Sequence, residues 1–332
     1  TVDHLCEVLL TAQGAGPKLY TPGTLGLVYD TENHILMTEG SRYLTNQWLR
    51  AHGSAEPAHD NRANGLEEWL RGYLNSLRIN GFREFNSVPY MTYAVQAVLN
   101  IAVFAEPPEM AGLAREILDS LAWHFALSSL EFRQVVPFRR RWEHADDPRT
   151  TLNRGTEIMR TWCNVREPGA PPSRGAFIPA VLPYRPPARA MAWAQEKPRC
   201  YLARFGHGRG ASPEILYGGP GFLLSAGGAG RSPLSEVVPR PTTLLVQDGA
   251  QRIGDCIHLP GKGRLSRWNN TGVHRRFACG PAPVHVPAHM NPLASGDGWR
   301  VFRPGGGSLL AAVYSTEDLG LLVLLPAPEI TP

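Results

Sequence analysis

Nowhere does this chain hold the roughly 18 consecutive apolar residues that a membrane span requires, and its longest late run, over 319–326, has only the length of a strand. Membrane insertion is therefore not expected. A strong charge of either sign is also missing: 33 basic residues against 29 acidic ones give a formal charge of +4, far from the concentrated basic stripe of a duplex-binding protein. Nucleic acid is not an expected partner, although a basic groove for an acidic polymer stays open. Cysteines are few. Cys6, Cys163, Cys200, Cys256 and Cys279 have no metal-type spacing, and their odd number leaves at least one unpaired, with disulfides and free thiols both open.

The common catalytic signatures are lacking as well. The sequence has no phosphate-binding loop, no HExxH, no CxxC and no G-x-S-x-G nucleophile turn. Glycine clusters such as Gly218-Gly219-Pro220-Gly221 lack the Lys-Ser/Thr and the helix that cradle a phosphate, and Gly305-Gly306-Gly307 reads as a hairpin turn. His285 and His289 stand four apart, but Pro283 and Pro287 exclude the helix that would bring them together, so no metal and no cofactor are expected. No repeat of fixed long period occurs.

What is present is a chain of 332 residues, 43% hydrophobic, long enough for two domains. Its 30 prolines and 34 glycines fall mostly after Pro168, so helices are expected first and short strands second. Apolar spacing predicts helices over 2–10, from Thr31 as N-cap to about 52, over 60–79 with Gly81 as its stop, over 91–105, over 109–130, and two shorter ones over 156–163 and 187–196. After Arg199 come nine apolar runs: 200–205, 214–225, 242–246, 256–259, 274–279, 284–286, 299–303, 309–314 and 319–325. The expectation is an α+β chain with a helical domain over 1–198 and an antiparallel β-sandwich over 199–332. The chain starts at Thr1 with neither a methionine nor a charged-then-apolar leader, which suits a processed product or a trimmed piece. Asn269-Asn270-Thr271 is a glycosylation sequon.

Two polar stretches interrupt the helical pattern. One is Glu32-Asn33-His34 at the start of the second helix, and the other, over 80–93, reads NGFREFNSVPYMTY. With Tyr43 and Arg139 they supply the residue types that proton abstraction beside a sugar carboxylate needs: an amide or guanidinium to neutralise the carboxylate, a His or Tyr base, and an acid for the leaving oxygen. The carboxylates Glu32 and Glu84 could serve a glycoside hydrolase instead. The charged run over 139–149 reads as a solvated loop or as the lining of an anionic groove. The polar stretches themselves could equally be helix caps in an interhelical loop.

The segments ENHILMTEGSRYL, GFREFNSVPYMTYAVQAVLNIAVFAE and SLAWHFALSSLEF resemble bacterial α/α-toroid proteins of the alginate lyase and heparinase II/III-like superfamily. The resemblance covers about a third of the chain closely and its layout throughout. It implies helical hairpins arranged as a toroid, then a β-sandwich, and a polysaccharide lyase cleaving an acidic polysaccharide by β-elimination; the setting expected for the chain is extracellular or periplasmic. It also implies Asn33 and Asn86 as binders of a carboxylate or hydroxyl, His34 as base, and Tyr90 or Tyr93 as acid or base; Glu32, Tyr43, Glu84 and Arg139, singled out by residue type, are the further candidates for binding substrate. Two departures stand out. About seven helices fit before Arg199, so the ring should be incomplete, and Val88 holds the place of the expected proline, which comes one position late as Pro89. A glycan-binding or self-assembling protein without catalysis is the remaining alternative, because amides and aromatic rings suffice to bind sugar.

Overall fold

A computed structural model of the chain describes residues 1–11, 31–139, 142–144, 146–152, 155–165, 174–207, 213–227, 237–261 and 271–325. The turn cluster at 14–17, the loop over 22–30, Arg140, Arg141 and the Asn269-Asn270 part of the sequon lie outside the described residues. Among the described residues the chain is mixed α+β, with eight α-helices followed, apart from one early two-residue strand, by antiparallel strands.

The helices are α1 (Val2–Thr11), α2 (Glu32–Ala51), α3 (Leu66–Asn80), α4 (Tyr90–Phe104), α5 (Pro108–Ser128), α6 (Gly155–Trp162), α7 (Arg174–Val181) and α8 (Ala188–Gln195). Thr31 precedes α2 in extended conformation, as an N-cap position does, but its hydroxyl donates to Asn33 Oδ1 instead of capping a main-chain N–H. The helix expected from residue 60 begins six residues later. Asp60 Oδ1 accepts the N–H groups of Arg62 and Ala63 in a turn, and Gly65 at φ 80° sets the true start. Helix α7 was not anticipated because Pro179 lies inside it, within a proline-rich stretch. The apolar faces of α2 to α6 and α8 share a core centred on Leu36, Leu70, Leu74, Leu99, Ile101 and Leu118.

The strands form three antiparallel sheets. A two-stranded ribbon pairs β1 (Phe138–Arg139) with β5 (Val237–Val238). A five-stranded sheet is built from β2 (Tyr201–Phe205), β3 (Glu214–Gly219), β4 (Phe222–Gly227), β6 (Thr242–Val246) and β7 (His258–Leu259), in the order β2-β3-β4-β6-β7. A six-stranded sheet contains β8 (Gly272–His274), β9 (Phe277–Gly280), β10 (Ala294–Gly296), β11 (Trp299–Phe302), β12 (Leu310–Ser315) and β13 (Gly320–Leu325), in the order β10-β11-β12-β13-β9-β8. Two expected runs prove to be hairpins, divided at Pro220-Gly221 and at Arg275, which adopts φ 51°. The run at 284–286 contributes one bridge, His285 to His258, and no full strand.

The central strands of the five-stranded sheet are buried on both faces. Tyr217, Leu224 and Leu244 pack with Phe302, Val313 and Leu322 of the six-stranded sheet. Their neighbours Leu216, Leu223 and Leu245 point the other way, against Leu130, Val135 and Val136 of the segment that follows α5. Strand β4 is consequently buried at every position, which explains why it reads as a continuous apolar run without alternation.

Candidate functional site

The loop between α3 and α4 starts where Gly81, at φ 72°, ends α3. Glu32, the first residue of α2, is buried, and its two oxygens accept the main-chain N–H groups of Arg83 (3.1 Å) and Glu84 (3.0 Å). Burial raises the Glu32 carboxyl to about 7, against the downward pull of those two donors. Arg139 holds the same loop from the ribbon. Its N–H donates to Phe85 O at 3.0 Å, its Nη1 donates to Arg83 O at 3.3 Å, and its guanidinium lies 5.8 Å from the centre of the Phe85 ring. The two polar stretches thus meet, fastened by Glu32 and overlaid by Arg139.

Asn86 turns the loop inward. It is buried, adopts φ 51°, and donates from Nδ2 to Pro137 O (3.0 Å) and to Glu214 Oε1 (2.7 Å). Glu214 opens β3 and has no solvent exposure. Two imidazoles face the same carboxylate: His124 Nε2 on α5 lies 3.0 Å from Oε2, and His207 Nε2, just beyond β2, lies 2.7 Å from Oε1. Burial alone would raise the Glu214 carboxyl, but the charge and hydrogen bond of His124, reinforced by His207, bring it down to about 2. Aromatic rings fix both imidazoles. His207 stacks on Phe85 with ring centres 3.5 Å apart, and His124 meets Phe205 edge-on at 4.4 Å.

The anticipated residues separate into three groups. Glu32, Glu84, Asn86 and Arg139 are joined directly through the loop, with Glu84 contributing its main-chain N–H. Asn33 is buried, and His34 and Tyr90 are half-buried at the starts of α2 and α4, next in sequence to the loop and its clamp. Tyr43 and Tyr93 make up the third group, and of these Tyr43 stands apart. Tyr43 lies eleven residues along α2 from Glu32, about 16 Å at the helical rise, and is packed in the core at 1% exposure. It lines a different hollow, with Gln47, Asp60, Asn61 and Glu67. Tyr93 is 40% exposed, one helical turn past Tyr90. Both amide hydrogens of Asn86 have protein acceptors, so its Nδ2 holds Glu214 and the loop.

His124, His207 and Glu214 were not anticipated. They come from a helix, a strand exit and a strand start spread over 90 residues, so no local spacing marks them. The one available signal was Glu214 itself, a carboxylate at the head of the otherwise apolar run EILYGG. Next to the cluster lies a cavity of about 50 Å³ lined by Asn86, His124, Gln134 and Trp162 among mainly apolar neighbours. A larger hollow of about 800 Å³ lies elsewhere, where Glu131, Lys197, Cys200, Asp248 and Arg276 line the ends of α8, β6 and the loop before β12. The chain matches no model of a known protein family, no curated protein and no solved structure.

Proposed function

We infer that the chain is a polysaccharide lyase that cleaves an acidic glycan by β-elimination, with its helical hairpins forming an incomplete α/α-toroid and its two larger sheets an antiparallel β-sandwich. The observation that supports this reading is the Glu32 clamp, which ties the start of α2, where Asn33 and His34 follow Glu32, to the loop that leads to Tyr90 and that Arg139 also holds. In this scheme Arg139 neutralises the uronate carboxylate and so acidifies the adjacent C–H. His34 takes that proton, the freed electron pair forms the ring double bond, the glycosidic C–O bond breaks, and Tyr90 protonates the leaving oxygen.

The test is the ultraviolet absorbance of the unsaturated uronate formed from a panel of uronate polymers. Wild type and Tyr93→Phe should produce it, whereas His34→Ala and Tyr90→Phe should lose at least about 100-fold in rate. An absent absorbance rise on every polymer, or full activity in both His34→Ala and Tyr90→Phe, overturns the reading. Release of reducing ends without absorbance would assign hydrolysis instead.

A further inference from the structure

We propose that His124, His207 and Glu214 form a binding site for one divalent transition-metal ion of the zinc class. The inference is independent of the lyase reading, because the cluster uses none of the residues that perform elimination there. Two imidazole nitrogens and a carboxylate are the ligand types of a three-protein-ligand zinc site with an open fourth position. Their ligand atoms all lie within 4.8 Å of one another, and both imidazoles direct the same atom, Nε2, at the one carboxylate.

The ligand spacing is within reach of a tetrahedral site. Ligands bound at about 2.0–2.2 Å in a tetrahedron stand roughly 3.3 Å apart. The two Nε2 atoms lie 3.0 and 2.7 Å from the Glu214 oxygens and no pair of ligand atoms is more than 4.8 Å apart, so an ion would be seated by opening the nitrogens slightly from the carboxylate and drawing the three ligands around one centre. Nitrogen ligands favour zinc over magnesium or calcium, which take oxygen.

The surroundings are those of a built site. Glu214 is fully buried, and among the described residues its ion-pair partners are the two imidazoles, so its compensating positive charge comes either from them or from a bound cation. Asn86 donates to Glu214 Oε1 and is itself held by Pro137 O, an outer support that orients the carboxylate. Phe85 and Phe205 hold the imidazole planes, which limits the entropy lost when an ion binds.

The full chain should be stripped with a chelator, then titrated calorimetrically with zinc chloride and, separately, with cobalt chloride followed by visible absorption. One zinc ion per chain and a tetrahedral-type cobalt spectrum are expected. His124→Gln and His207→Gln, which retain a polar side chain, should each weaken zinc binding at least 100-fold, and Glu214→Gln should do the same. His285→Ala serves as a control, because His258 and His285 form a second histidine pair with ring centres 4.4 Å apart, and it should bind as wild type does. Absence of saturable zinc binding overturns the proposal and leaves the cluster as a hydrogen-bonded network. Binding that survives in both histidine variants, or that disappears in His285→Ala alone, overturns it equally.

Discussion

Glu32 and Lys197 are buried groups whose titrations act on stability in opposite senses. The folded Glu32 carboxyl, raised from 4.5 to about 7, holds its proton where the unfolded chain has released it, so its contribution favours folding below about 4.5 and is lost as pH rises through 7. Lys197 is only 2% exposed, and burial lowers its ammonium from 10.5 to about 7. Between 7 and 10.5 the unfolded chain binds the extra proton, so this contribution to stability grows with pH across that window. At about 1.4 kcal/mol per pKa unit the full range is at most about 5 kcal/mol. Lys197→Met should therefore flatten the rise of unfolding free energy measured by denaturant titration between pH 7 and 10, and an unchanged slope would remove this account. At Glu32 the hydrogen bonds matter more than the titration. Glu32→Ala leaves the N–H groups of Arg83 and Glu84 without their acceptor and should lower stability by about 2–4 kcal/mol, with faster amide exchange at those two positions.

Single elements show why much of the fold, but less of the site, was legible in the sequence. Apolar spacing set the extents of α4 and α5 to within two residues because their core faces recur at the helical period. It lost α7, whose Pro179 resembles a breaker, and it merged β3 with β4, whose burial on both faces removes the alternation that marks a strand. The Glu32 and Asn86 stretches stood out as polar interruptions of apolar helices, whereas His124, His207 and Glu214 meet only through tertiary packing. Strand β4 tests the two-faced burial directly. Leu223 and Leu224 are both inaccessible to solvent but belong to different cores, one toward the α5 side and one toward the six-stranded sheet. Leu223→Ala and Leu224→Ala should each lower stability by about 2–5 kcal/mol. A change below about 0.5 kcal/mol in either would mean that its face of the sheet is not packed.

At the scale of the whole molecule, the segment after α5 couples the helices to the sheets. Leu130, Val135 and Val136 pack on the outer face of the five-stranded sheet, and Arg133 between them is 1% exposed. Its guanidinium donates to Ala250 O (2.9 Å), Val246 O (2.5 Å) and the Glu131 carboxylate (2.7 Å), so a charge on the helical side satisfies main-chain carbonyls at the end of β6. Glu131 in turn accepts the N–H of Asp248, closing a bridge across the same junction. Helices and sheets joined through a buried, hydrogen-bonded cation cannot separate without stripping that cation of its partners, at several kcal/mol. The expected consequence is one cooperative unfolding transition, with far-ultraviolet dichroism and tryptophan fluorescence changing at the same denaturant concentration. Arg133→Met removes the bonds while keeping much of the volume, and should lower stability by about 3–5 kcal/mol and draw the two probes apart. If the probes already diverge in the wild type, the junction is not the coupling element, and the helices and sheets are separate folding units.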